Sequence, residues 1–214
     1  MSSCIGDDII DDRVDPEIRV TNLIDTIALN SSYQFEATFF NNVGRETATN
    51  FFYNSSDESI ISINDQGLAT ALSLGAVTIT TIVEFEGANV EETFDLVVGN
   101  ETTVVPESLT RNGVIRTTTF YDLEGNFIIE KTGDEVGIRI DIDDTYRAST
   151  SLPGFYVYLT NNPNSIAGAY EIGEVTTFEG AHSYEIPDVG INDFGYLLYF
   201  CKPFNVKVGD GKIE

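Results

Sequence analysis

Residues 33–39, YQFEATF, alternate apolar and polar side chains without a break, and this pattern indicates the fold most clearly. Successive side chains of a β-strand point to opposite sides, so one face of such a strand would be apolar and the other polar. The stretch therefore predicts a half-buried antiparallel strand. The face that it buries would carry Tyr33, Phe35, Ala37 and Phe39.

The same period continues along the rest of the chain. Residues 77–83, VTITTIV, are β-branched throughout, and residues 136–144, VGIRIDIDD, place Ile138, Ile140 and Ile142 on one face. Turn-forming Gly, Asn and Asp residues separate the short apolar clusters, and no helical period lasts beyond one or two turns. We expect an all-β chain of two tandem domains. These are an Ig-like β-sandwich over residues 15–99, a polar linker over 100–108, and a second β-sandwich or jelly-roll-like domain over 109–214.

The charge of the chain excludes one class of partner. Its 214 residues include 35 acidic and 11 basic side chains, which gives a net charge of −24. A field of this sign repels nucleic acid, so no nucleic-acid partner is expected. The sequence also contains no run of 18 apolar residues, so we expect no membrane-spanning segment.

The amino-terminal residues 1–12, MSSCIGDDIIDD, place two small residues before Cys4 and acids after it. This resembles the end of a bacterial lipobox, although the apolar segment that normally precedes it is missing. The acidic run resembles the export tag of surface lipoproteins in some Gram-negative bacteria. The resemblance implies a lipid on Cys4, a tether over residues 1–14, and a lipid-anchored position at the outer membrane or cell surface. The alternative is a flexible acidic tail with an incidental cysteine.

Residues 52–80, FYNSSDESIISINDQGLATALSLGAVTIT, resemble the bacterial immunoglobulin-like domain of group two. The matching features are an aromatic strand, a Ser-Ser-Asp turn, an Asn-to-Gly turn that ends at Gly67, and Gly75 before an Ile-Thr strand. Phe52 or Tyr53 stands where the family usually has tryptophan. The resemblance implies a spacer or adhesive module, and it brings no catalytic residues with it.

Four stretches of the second half, in this order, resemble the electron-transfer domain family called DM-thirteen. They are residues 120–129, FYDLEGNFII; residues 138–160, IRIDIDDTYRASTSLPGFYVYLT; residues 180–187, GAHSYEIP; and residues 196–213, YLLYFCKPFNVKVGDGKI. The family usually has Gly-Pro-Asp where this chain has Leu152, Pro153 and Gly154. The resemblance implies that the domain carries electrons to or from a redox partner protein, with Cys201 as the redox centre.

Elementary chemistry limits what Cys201 can do. A two-electron thiol couple needs a second thiol, and the only other one is Cys4. Iron–sulfur clusters need about four cysteines, and a blue-copper site needs two histidines where this chain has only His182. A thiolate on haem, a Cys201–His182 pair on one metal, a sulfenic-acid cycle or a site shared between two chains remain, so the cofactor stays unknown. The competing interpretations are a packed structural thiol and a surface histidine.

Asp141, Asp143 and Asp144 form a weak candidate for calcium, which prefers oxygen ligands, although the spacing of an EF-hand is absent. Solvated acids at the end of a strand are the competing interpretation. Two functions follow from the sequence. The first is a surface lipoprotein whose Ig-like spacer presents an electron-transfer domain acting through Cys201. The alternative is a non-catalytic adhesion or binding module for a surface glycan or protein. Nothing in the sequence requires an enzyme.

Overall fold

The computed structural model describes residues 12–106, 108–133 and 137–214. The chain folds as two compact units, Val14–Glu107 and Ser108–Glu214, and Asp12 and Arg13 belong to the second. Both units consist of β-strands, apart from a short 3₁₀ helix at Lys202–Phe204, so the all-β prediction is confirmed.

Three sheets make up the first unit. A five-stranded sheet has the order β10-β2-β9-β8-β5, a three-stranded sheet the order β3-β7-β6, and β1 pairs with β4. The contact between β2 and β9 is parallel. The strands are β1 Glu17–Val20, β2 Ile24–Ala28, β3 Ser32–Gln34, β4 Ala37–Phe40, β5 Phe52–Ser55, β6 Ile61–Ile63, β7 Leu68–Ala71, β8 Gly75–Phe85, β9 Ala88–Gly99 and β10 Thr103–Val104.

The five-stranded and three-stranded sheets share one apolar core, as the two layers of a sandwich do. Ile27, Ile79 and Leu96 from the larger sheet meet Ile61 and Ala69 from the smaller one, and all five are fully buried. A smaller core beneath β1 and β4 contains Ile18, Phe39 and Val83. The β-branched residues 77–83 lie in β8 as the strand that they predict, and burial alternates along it.

The prediction of one continuous strand over residues 33–39 is wrong. The strand stops after Gln34 and resumes at Ala37, and its two halves join different sheets. The side chain of Asn22 bridges the break, because its Nδ2 donates to the Gln34 carbonyl and its Oδ1 accepts from the Glu36 amide, both at 2.8 Å. The prediction of the buried face still holds at its centre, because Phe35 is buried in the larger core.

The second unit is one antiparallel sheet in the order β16-β15-β18-β19-β11-β12-β13-β17, with β14 beside β12. The sheet curls until it is nearly closed like a barrel around its main core, and a smaller buried cluster contains Tyr158, Leu198 and Phe200. Its strands are β11 Thr110–Thr117, β12 Leu123–Lys131, β13 Gly137–Ile142, β14 Arg147–Ala148, β15 Phe155–Thr160, β16 Tyr170–Glu174, β17 His182–Pro187, β18 Tyr196–Cys201 and β19 Val206–Lys212.

The segment that follows β16 narrows the gap in this curled sheet. Val175 donates its amide to the Phe155 carbonyl at the start of β15, at 2.8 Å. A few residues later the Phe178 carbonyl accepts from Ala148 of β14, at 2.9 Å. Residues 175–180 therefore connect β15 to β14 across the opening.

The interior of the second unit is filled by the apolar faces of its strands. Ile138, Ile140 and Ile142 are buried there, as the alternation of residues 136–144 predicts. The ring of Phe127 lies against Gly113 and Gly211 on neighbouring strands, where an added Cβ would overlap that ring. These two glycines thus provide the space that the aromatic side chain occupies.

The described residues of both expected connecting segments make contacts with the two units. Thr103 and Val104, in the expected linker 100–108, form β10 and pair with β2 at the edge of the first sheet. At the end of the expected tether 1–14, the Asp12 carbonyl accepts from Asn162 Nδ2 at 2.5 Å. The lipidation site expected at Cys4 lies outside the described residues. No helix in the described part of the chain is long and apolar enough to cross a membrane.

Candidate functional site

The thiol of Cys201 faces the interior of the second unit. Only 1% of the residue is exposed, and it belongs to the same core as Phe155 and Val208. Its S–H donates to the Pro153 carbonyl, with 3.2 Å between Sγ and the oxygen. Pro153 belongs to the turn that the sequence analysis aligned with the DM-thirteen pattern. The sulfur is therefore enclosed by its own domain and bonded to its own backbone.

His182 does not lie on a strand next to Cys201. It begins β17, which pairs with β13, whereas Cys201 ends β18 between β15 and β19. The His182 Nδ1 lies 3.0 Å from the Gly180 carbonyl, and the Cys201 thiol uses a different carbonyl. The adjacent-strand pairing that a shared metal would have required is thus not formed.

His182 instead joins a cluster of aromatic side chains in the interior. Its ring packs edge-on against Tyr146, at 4.7 Å between centroids, and against Tyr184 at 5.4 Å. Tyr146 also approaches Tyr199 at 6.1 Å, and Tyr199 approaches Phe155 at 5.8 Å. We call Tyr146, His182 and Tyr199 the interior polar cluster.

Each member of the interior polar cluster has a buried polar atom without a hydrogen-bond partner among the described residues. The atoms are the Tyr146 and Tyr199 hydroxyls and His182 Nε2, and the described chain has only one other such side-chain atom, Thr81 Oγ1. An unsatisfied buried polar group costs about 1–3 kcal/mol, so three together would cost roughly 3–9 kcal/mol. That sum rivals the whole stability of a typical domain, about 5–15 kcal/mol.

Burial also keeps these phenols neutral. It raises the pKa of Tyr146 and of Tyr199 well above the ordinary value, and it raises the pKa of Tyr184 to about 12. Tyr146 and Tyr199 also affect each other's pKa through a contact between their hydroxyls that comes close to a hydrogen bond. Their arrangement nevertheless lacks the geometry of a hydrogen bond. At neutral pH both groups are hydrogen-bond donors and acceptors, not charged ligands.

The three aspartates of the calcium prediction have other contacts. Arg139 Nε donates to the Asp141 carboxylate at 2.9 Å. Asp143 accepts from the Thr145 hydroxyl and amide and from Asn126 Nδ2, and the Thr145 hydroxyl is the main cause that lowers the pKa of Asp143. Asp144 is exposed. No three His, Cys, Asp or Glu side chains within residues 12–106, 108–133 and 137–214 are grouped to hold a metal ion, and the calcium site stays a prediction.

One end of the second unit turns apolar side chains toward solvent. Thr118 donates its amide to the Val208 carbonyl at 2.9 Å, which holds the β11–β12 loop beside the start of β19. That start follows the 3₁₀ helix at Lys202–Phe204, so both turns lie at the same end of the curled sheet. The exposed side chains there, which we call the aromatic end, are Phe120, Tyr121, Phe204 and Val206.

Lys202 of the 3₁₀ helix contacts polar and aromatic side chains of β15 and β16. Lys202 Nζ donates to Glu171 at 2.7 Å and lies 4.8 Å from the centre of the Tyr156 ring. The Tyr158 hydroxyl donates to the same Glu171 carboxylate at 3.1 Å. The hydrogen bond from Lys202 is the main cause that lowers the pKa of Glu171. Burial raises the pKa of Tyr158 to about 12.

Comparisons with known proteins add no relative. No model of a known protein family matches this chain, and no curated protein matches it either. The resemblances to the group-two Ig-like domain and to the DM-thirteen family therefore stay predictions.

Among Cys201, the interior polar cluster and the aromatic end, only Cys201 and His182 could be singled out from the sequence. Sequence reasoning singled out these two residues because each is rare in the chain. It missed Tyr146 and Tyr199, because two of ten tyrosines in a β-rich chain carry no mark of a shared interior cluster. It identified none of the exposed aromatic residues individually, because a single sequence does not show which of 24 phenylalanine and tyrosine side chains lie outside.

Proposed function

We propose that this chain is a non-catalytic, lipid-anchored cell-surface protein whose second unit binds a surface glycan or protein through the aromatic end. In this proposal Cys4 carries the lipid and residues 1–14 form the tether. The first unit is an Ig-like spacer that holds the second away from the outer membrane. Cys201 is a structural thiol of the second unit.

The observation that carries this proposal is the exposure of large apolar side chains at one end of the second unit. Phe120 is fully exposed and Phe204 is 67% exposed, although burying such a side chain would gain about 1.5–3 kcal/mol. Exposed aromatic side chains grouped on turns are typical of contact surfaces, where their apolar faces are buried by a partner. The sandwich architecture of the first unit is compatible with the spacer role.

Electron transfer through Cys201 is the competing proposal, and it follows from the resemblance to the DM-thirteen family. The burial of the sulfur weighs against it, because reactive thiols are partly exposed and lie in electropositive surroundings. The thiol would also need a second redox group, and its contact is the Pro153 carbonyl, which takes no electrons.

The binding proposal can be tested with purified full-length protein displayed on beads. The beads would be applied to glycan arrays and to surfaces of intact cells, beside beads carrying Phe120→Ser/Phe204→Ser. A control, Leu72→Ser, removes an exposed apolar side chain from the first unit. The proposal predicts that the double variant loses at least tenfold in adhesion and that the control keeps it. Equal adhesion of all three proteins to every ligand would contradict the role of the aromatic end.

A further inference from the structure

The interior polar cluster concentrates nearly all of the unpartnered buried polar side-chain atoms of the described chain in one place. Three of the four such atoms belong to Tyr146, His182 and Tyr199, whose rings are in contact. Both tyrosines are 0% exposed, so bulk solvent does not reach them. Folded proteins pair nearly all such groups, with protein or with a buried molecule.

The hydrogen-bond roles of the three atoms define what could pair with them. A carbonyl oxygen only accepts, so the contact between His182 Nδ1 and Gly180 places the imidazole hydrogen on Nδ1. In the tautomer with its hydrogen on Nδ1, Nε2 is an acceptor and needs a donor. The two phenols can each donate and accept. The roles of a single O–H group match all three atoms, because its hydrogen can be donated to Nε2 and the two lone pairs of its oxygen can accept from both phenols.

We propose that the interior of the second unit binds a small neutral guest through a hydroxyl group, held by Tyr146, His182 and Tyr199. The shared chemistry is one O–H group, which comes either from a trapped water molecule or from a small bound alcohol. A carboxylate does not fit, because it has no hydrogen for Nε2. A metal ion would need charged phenolates, which burial opposes.

The guest must be small because the surroundings are closely packed. A Cβ added at Gly125 would lie 3.2 Å from Tyr146, so that tyrosine sits directly on the backbone of β12. Phe155 packs against Tyr199, and Tyr184 packs against His182. These contacts restrict any guest to a few heavy atoms and exclude a lipid or a sugar chain.

Tyrosine-to-phenylalanine variants of the full chain test the proposal. Removing a hydroxyl that holds a guest costs stability, whereas removing an unpartnered hydroxyl costs none and can increase stability. Tyr146→Phe and Tyr199→Phe should each raise the unfolding equilibrium constant about tenfold. The control is Tyr170→Phe, at the surface of the same unit, which should leave that constant unchanged. Denaturant unfolding gives all three values.

Two further measurements identify the source of the hydroxyl. Oxygen-17 relaxation dispersion on the native protein detects a water molecule that exchanges slowly, and mass spectrometry of an extract of the denatured protein detects a bound alcohol. Either signal in the wild type, lost in the Tyr146→Phe/Tyr199→Phe double variant, supports the proposal. Single variants at least as stable as the wild type would overturn it. A loss of stability without any detectable guest would also overturn it, because the two phenols would then bond each other. A guest that the double variant retains would overturn it as well.

Discussion

Two phenylalanines of the second unit provide a matched test of which side chains build its core. Phe127 is 1% exposed and lies against Gly113 and Gly211, while Phe120 is fully exposed in the loop before the same strand. Phe127→Ala removes about 2.5 kcal/mol of apolar burial. It also leaves a cavity of about 100 Å³, which at ~24 cal/mol per Å³ costs roughly 2.4 kcal/mol more. The glycines have no side chains to fill that space, so the total should reach about 4–5 kcal/mol.

The matched variant, Phe120→Ala, should change the free energy of unfolding by less than about 0.5 kcal/mol. Urea unfolding in a Cys4→Ser background gives both values, because labelling of the buried Cys201 thiol then reports on the second unit alone. A loss below about 1.5 kcal/mol for Phe127→Ala, or equal losses for the two variants, would refute the assignment of interior and exterior.

Two more predictions concern polar contacts. Asn22→Ala removes both hydrogen bonds that bridge the strand break, to the Gln34 carbonyl and the Glu36 amide. It should lower the free energy of unfolding of the first unit by about 1–2 kcal/mol, measured by urea unfolding. An unchanged urea midpoint would contradict the bridging role of Asn22. Lys202→Ala should raise the pKa of Glu171 toward its ordinary 4.5, measured by NMR titration, because the bond with Lys202 is the main cause that lowers it. A carboxyl whose pKa is lower in the folded than in the unfolded chain stabilises the fold at a pH above its unfolded-state pKa, and this contribution is lost as the pH falls through its folded-state pKa. The wild type should therefore lose more stability than the variant below about pH 4.5. Identical profiles of stability against pH would count against the contact.

The local pattern of the sequence predicts strands well, because a strand's two faces follow directly from its alternation. Ile138, Ile140 and Ile142 are buried together for this reason. The break after Gln34 escapes the same reasoning, because the alternation of residues 33–39 runs through it without change. The groups that replace the missing strand bonds come from Asn22, twelve residues earlier.

The candidate sites depend on contacts that are distant in the sequence. The carbonyl that binds the Cys201 thiol belongs to Pro153, 48 residues away, and which carbonyl faces the sulfur is set by the pairing of β15 with β18. The interior polar cluster takes Tyr146 from before β14, His182 from the start of β17 and Tyr199 from β18. Only the curling of the whole sheet brings these three together, so no spacing in the sequence predicts them.

The central claim is that Cys201 is a structural thiol enclosed by its own domain, and its reactivity tests this most directly. The Cys4→Ser protein would be mixed with an aromatic disulfide reagent under native conditions and again in urea. If the thiol reacts only when the domain opens, an opening free energy of about 5 kcal/mol or more slows the native reaction by at least ~5 × 10³-fold relative to the unfolded chain. A native rate within about tenfold of the unfolded rate would contradict the claim and favour a redox role for this cysteine.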